Sequence, residues 1–257
     1  MMKILKNMVI SILLRLGYTV IRLSPHQKKD RFADIPDSQC YLPFYSPFPL
    51  FNPALQDVEF KEVSSKILPE TLLGVNSLYM LWTLAKQACH CSGSFIECGV
   101  YKGGTSLLLA SVLSRSCKIK DLHLFDTFEG LPDVLDIDMH EKGDFSDTSI
   151  ERVKNFIGFQ NFVHIHVGLI PETFPDIKDI KIAFAHIDVD LYQSVIDCCV
   201  FIYPRLNVGG IIVFDDYGFQ SCPGARKAVD DYFRDKPECP LILPTGQAIV
   251  FKLPTGP

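Results

Sequence analysis

Two pairs of aspartates close two apolar runs that follow one another along the chain. Ala185-His186-Ile187-Asp188-Val189-Asp190 ends in one pair, and Val213-Phe214-Asp215-Asp216 ends in the other. If both runs are neighbouring parallel strands, four carboxylates emerge together at the C-terminal edge of one sheet, where open α/β sheets bind ligands. Carboxylates crowded in this way repel one another and resist ionisation unless a cation neutralises them. A donor set made only of oxygens selects a hard divalent ion, Mg2+ first and Ca2+ or Mn2+ next.

A second constellation precedes the first. Phe95-Ile96-Glu97-Cys98-Gly99-Val100-Tyr101-Lys102-Gly103-Gly104-Thr105 reads as a strand, a glycine turn and the start of a helix. Glycines there let backbone approach a ligand closely, and a helix N-terminus offers unpaired N–H groups. The pattern is neither GxGxxG nor a Walker loop. The next strand, Leu122-His123-Leu124-Phe125-Asp126, ends in an acid about where a doubly wound fold places its ribose-binding carboxylate. Together these features point to a cofactor that carries adenosine.

The elements that must position these residues alternate short apolar runs with helical segments, which predicts a parallel sheet with crossover helices. Strands are expected at Phe95–Cys98, Leu122–Phe125, Val163–Val167, Ile182–Ile187 and Gly210–Phe214. Helices are expected at Thr105–Ser114, Ile150–Ile157, Ser194–Tyr203 and Ala225–Phe233. Leu241–Leu243 and Ala248–Leu253 flank Pro244-Thr245-Gly246 and read as a closing pair of strands. The fold class is α/β, a doubly wound and mostly parallel sheet finished by an antiparallel strand. Residues 91–257 form this domain, and residues 1–90 form an N-terminal helical extension with a Pro/aromatic connector.

The 257 residues are 47% hydrophobic, enough for a full core and incompatible with a disordered chain. Net charge is −5, which argues against a nucleic-acid binder. Charge is unevenly placed, with +6 over residues 1–31 and −11 over the remainder. Ile4, Leu5, Met8, Val9, Ile12, Leu13 and Leu16 make a helical apolar stripe in that basic head. Two partners suit such a helix: another subunit of a homo-oligomer, or peripherally the inner face of a membrane. Nine cysteines without disulfide or zinc-pair spacing suggest a reducing compartment. The longest uncharged run near the start, 7–14, is too short to span a bilayer and no cleavage site follows, so a cytoplasmic protein is expected.

Four stretches in order, FIECGVYKGGTS (95–106), LFDTFEGLP (124–132), HIDVDLYQS (186–194) and GGIIVFDDYGFQSCPGARKAVDDYF (209–233), resemble the macrocin O-methyltransferase family. The likeness covers about residues 70–253. It implies a class I methyltransferase fold and O-methylation of a sugar hydroxyl on a glycoside, polysaccharide or natural product, using S-adenosylmethionine and Mg2+. By that resemblance Asp188, Asp215 and Asp216 hold the metal and Asp190 is the general base. Glu97, Gly99 and Asp126 contact the cofactor. Physical chemistry agrees with this division. A hard cation beside a sugar hydroxyl orients it and stabilises developing alkoxide charge, while a nearby carboxylate takes the proton. If the strand continues, residues 188 and 190 point to the same side. The related catechol-type enzymes, as the resemblance has it, rely on a lysine just beyond the first acid. Leu191, Tyr192 and Gln193 stand here instead, which leaves the role to Asp190.

Thr127 to Ser149 is a long acidic insertion and reads as a lid. His140 within it, and Tyr192 after the first aspartate pair, are candidate contacts to a small-molecule or glycan substrate. Two other readings stay open. Asp188-Val189-Asp190 is also the DxD of metal-dependent glycosyltransferases, and a methyltransferase-like binding protein without activity would share the same folds and loops.

Overall fold

The computed structural model describes residues 53–116 and 120–254. The expected basic helix at 1–31 and most of the Pro/aromatic connector lie outside the described residues.

Seven strands form one sheet: β1 Ser94–Cys98, β2 Leu122–Asp126, β3 Val163–Val167, β4 Ile182–Ile187, β5 Leu206–Phe214, β6 Leu241–Ile242 and β7 Ala248–Phe251. Their order is β3-β2-β1-β4-β5-β7-β6. The first five are parallel, and β7 joins β5 antiparallel before pairing with β6. The strand order therefore reverses between β1 and β4. That is the switch point at which a crevice opens above the C-terminal strand ends.

Among the described residues six helices cover the sheet: α1 Val58–Ile67, α2 Val75–Ala88, α3 Gly104–Ser114, α4 Ile150–Ile157, α5 Tyr192–Ile202 and α6 Pro223–Phe233. Helices α1 to α4 pack on one face with Phe95, Leu124, Phe184 and Val213. Helices α5 and α6 pack on the other with Ile96, Cys98, Ile187 and Phe214. The alternation of adjacent strand residues between the two cores is the period-2 pattern of a strand buried on both sides. Helices α1 and α2, placed by the sequence in an extension, share one core with β1 and α3. Asp57 ties these two together: its Oδ1 caps α1 by accepting from Phe60 N (2.9 Å), and its Oδ2 accepts from Trp82 Nε1 of α2 (3.1 Å).

The helices begin one to two residues earlier than expected in three cases, because Gly104, Tyr192 and Pro223 already have helical backbone. Among the described residues no helix is long and apolar enough to cross a membrane.

Candidate active site

A cavity of about 260 Å³ opens above the switch point. The β1–α3 loop (Gly99, Val100, Tyr101), Asp126, the segment after β2 (Leu131, His140, Phe145) and the four aspartates line it. Glycine at 99 is required by the fold itself. Its φ is +86°, and a Cβ there would lie 1.7 Å from the Asp188 carbonyl oxygen. The ends of β1 and β4 thus touch backbone to backbone, which sets Asp188 on the cavity floor.

Asp188, Asp215 and Asp216 each bring a carboxylate oxygen within 4.8 Å of the others. Burial, and then the charge of Asp215, push the Asp188 carboxyl well above the usual range. Burial, and then Asp190 and Asp188, do the same to Asp216. A divalent cation among three carboxylates removes that repulsion, and the set holds no soft donor, so these residues fit a hard ion. Asp215 is fixed from behind: Gln247 Nε2 donates to its Oδ1 (2.8 Å) while also donating to the Ser77 carbonyl.

Asp190 departs from the expected geometry. Strand β4 ends at Ile187, and Asp190 has φ +58°, so residues 188 and 190 are not successive same-side positions of one strand. The turn is held by the Asp190 N–H, which donates to Asp216 Oδ2 (2.9 Å). A carboxylate oxygen of Asp190 lies within 4.8 Å of donor atoms of His140 and Cys222, while its charge still acts on Asp216. Burial raises the Asp190 pKa, opposed by His140 and by the Cys222 hydrogen bond. A carboxylate raised in this way is a stronger base.

Asp126 lies at the cavity, but its oxygens already serve the loops. Oδ2 accepts from Val100 N (2.7 Å) and Tyr101 N (2.9 Å), and Oδ1 accepts from Phe128 N (2.7 Å). A carboxylate has about four acceptor positions, so room for a ribose hydroxyl remains. Glu97 does not line the cavity. It is fully buried beneath it, where Ser106 Oγ donates to Oε2 and His186 Nδ1 to Oε1 (3.0 Å). Strand alternation turns Glu97 into the interior, off the cavity lining. His186 Nε2 is buried without a hydrogen-bond partner, 3.7 Å from Asp215 Oδ1. Burial alone would lower the His186 pKa, but Asp215, Glu97 and the charge of Asp188 outweigh it and raise it to about 10.

Tyr192 also misses the cavity. Its N–H, at the start of α5, donates to Asp138 Oδ1 (2.9 Å), and its hydroxyl donates to Asp231 (3.1 Å). Asp138 belongs to the 127–149 segment, so Tyr192 anchors that segment. The other bank is pinned by Tyr101 Oη and Lys102 Nζ, both donating to Asp147 (2.7 and 2.5 Å). Asp138 and Asp147 were not singled out from the sequence; Gly224, whose Cβ would lie 1.9 Å from Asp138 Oδ1, is the local signal of that contact.

A family profile described as Macrocin-O-methyltransferase (TylF) matches residues 68–242. The chain belongs to the macrocin O-methyltransferase family. Demethyldecarbamoylnovobiocin O-methyltransferase of Streptomyces niveus is 30% identical over 180 residues, spanning 63% of this chain and 67% of that protein. Mycinamicin III 3''-O-methyltransferase of Micromonospora griseorubida is 27% identical over 184 residues, 65% of this chain and 70% of that protein. The solved O-methyltransferase NovP superposes with a TM-score of 0.65 at 25% identity, over 72% of this chain and 83% of that one. This macrocin O-methyltransferase relative thus has the class I methyltransferase fold, and its reaction class is methyl transfer to oxygen.

Proposed function

We propose that the protein transfers a methyl group from S-adenosylmethionine to a sugar hydroxyl of a glycosylated natural product, with Asp190 as general base. The observation that carries this reading is the division of the four acids. Three bring carboxylate oxygens within 4.8 Å of one another, and the fourth, at a left-handed backbone position, groups with His140 and Cys222. Family membership removes the reason to keep a glycosyltransferase reading of the DxD.

Asp188, Asp215 and Asp216 would hold a hard divalent cation, Mg2+ foremost. When bound, the ion orients the acceptor hydroxyl and stabilises negative charge developing on its oxygen. Asp190 accepts the hydroxyl proton on Oδ1 or Oδ2, with His140 Nε2 3.5 Å from Oδ1 to stabilise the orientation. Gly99, Val100 and Asp126 frame the adenosine side of the cavity. The segment around Leu131, His140 and Phe145 covers the acceptor side and excludes water, as a lid does.

The deciding experiment is twofold. Isothermal titration with S-adenosylhomocysteine should show binding, and methyl transfer to glycosylated acceptors should stop in excess chelator and return with Mg2+. Full activity in chelator removes the metal from the reading; no affinity for the cofactor product removes the reading itself.

A further inference from the structure

We propose that His140, Asp190 and Cys222 form a second cation site, suited to a borderline-soft ion with Zn2+ foremost, whose occupation takes the carboxylate of Asp190 out of use. The three side chains come from three separate places: the 127–149 segment, the turn after β4, and the N-terminal cap of α6. Their donor atoms converge. His140 Nε2 lies 3.5 Å from Asp190 Oδ1, Cys222 Sγ lies 3.3 Å from the same oxygen, and Sγ and Nε2 are 3.6 Å apart.

Those separations match the edges of a tetrahedral zinc site. With Zn–N about 2.0–2.1 Å, Zn–O about 2.0–2.2 Å and Zn–S about 2.3 Å, ligand atoms at tetrahedral angles stand roughly 3.3–3.6 Å apart. All three residues line the cavity, which leaves the fourth position to water. A supporting carboxylate is also in place: His140 Nδ1 lies 3.1 Å from Asp144 Oδ2, the arrangement that fixes the tautomer of a metal-binding imidazole. Nitrogen and sulfur donors separate this site chemically from the all-carboxylate one beside it, because Mg2+ avoids thiolate and Zn2+ favours it. Burial and the charges of Asp216 and Asp190 hold the Cys222 thiol well above its usual range, so the thiolate forms only as the metal replaces its proton, which leaves to solvent.

Binding at this site stands on the geometry alone. Only its consequence, inhibition, rests on the reading of Asp190 as base. The test uses the full chain in saturating Mg2+, which occupies the carboxylate site, and titrates Co2+ as a spectroscopic stand-in and Zn2+ against a chromophoric chelator. One equivalent should bind with a thiolate-to-cobalt charge-transfer band in the near ultraviolet. Cys222→Ser should abolish the band, and His140→Asn should weaken zinc at least tenfold, with Asp144→Asn weakening it by about tenfold or more. His140 sits on a loop, so its variant keeps the test intact if Cys222→Ser fails to fold. Absence of the band in the wild type, or zinc affinity unchanged in both Cys222→Ser and His140→Asn, overturns the site and identifies a plain hydrogen-bond network. Zinc that binds here while methyl transfer continues at full rate overturns the inhibitory consequence and the base assignment with it.

Discussion

Glu97 on β1 and His186 on β4 are register partners in the sheet and share a 3.0 Å hydrogen bond with no access to solvent. The pair stands directly behind the metal-ligand candidate Asp215, with the second imidazole nitrogen 3.7 Å from that carboxylate. Removing one member of a buried ionic pair leaves the other uncompensated, at a cost of about 3–5 kcal/mol. Glu97→Ala should therefore lower unfolding free energy by that order in urea titration. His186→Asn, whose amide mimics Nδ1 and not Nε2, should keep the Glu97 contact yet weaken Mn2+ binding about 10- to 100-fold. Unchanged Mn2+ affinity in His186→Asn would show that the pair supports the fold only.

The base assignment predicts that Asp190→Asn keeps affinity for S-adenosylhomocysteine and lowers kcat by roughly 10²–10⁴-fold. Asp216→Asn should act differently, since it weakens divalent-ion binding and also removes charge from the acceptor of the Asp190 N–H. Similar metal affinities in both variants would contradict the division of the four acids into three and one.

Much of this site was legible before the structure. Asp188, Asp215 and Asp216 each follow a long apolar run, and a run that stops at an acid marks where a buried strand reaches the sheet edge. The direction of Asp190 was not legible, because a single positive φ decides it and nothing in the residue types around it demands one. The cofactor contact expected of Glu97 rests on the family resemblance alone, and the side chain does not line the cavity. Counting the period of two along β1 against β4 would have set it opposite His186 instead, in the interior. Tyr192 looked available as a phenol next to the aspartates, but Asp231 on α6, distant in sequence, takes its hydroxyl. Contacts of that kind depend on how α5 and α6 pack, which no local pattern encodes.

Gly224 and Asp138 offer a way to loosen the covering segment without touching the acids. A Cβ at 224 would lie 1.9 Å from Asp138 Oδ1, so Gly224→Ala must displace the side chain that accepts from the Tyr192 N–H. We expect a rise in KM for the acceptor with little change in affinity for the cofactor product, since the proposed adenosine side lies against the β1–α3 loop, on another part of the cavity wall. Asp138→Ala should reproduce the effect. Equal losses on both ligands would mean that the whole cavity collapses.

A pH effect on stability should arise far from the acids, at His123. This histidine on β2 is buried against its neighbours on the edge strand, stacked on His164 and 3.1 Å from His166 Nε2. Burial first, and then the charges of His166 and His164, lower its pKa from 6.5 to about 4. The neutral imidazole is thus the folded form. In the unfolded chain His123 takes a proton near the ordinary value, so the unfolded state binds more protons between these limits. Its contribution to stability is complete above about pH 6.5 and is lost progressively as pH falls toward 4, by up to roughly 3 kcal/mol. His123→Phe keeps the stack and has nothing to protonate. Urea midpoints of the variant should fall less between pH 7 and 4.5 than those of the wild type, and parallel pH curves for the two proteins would refute a neutral buried His123.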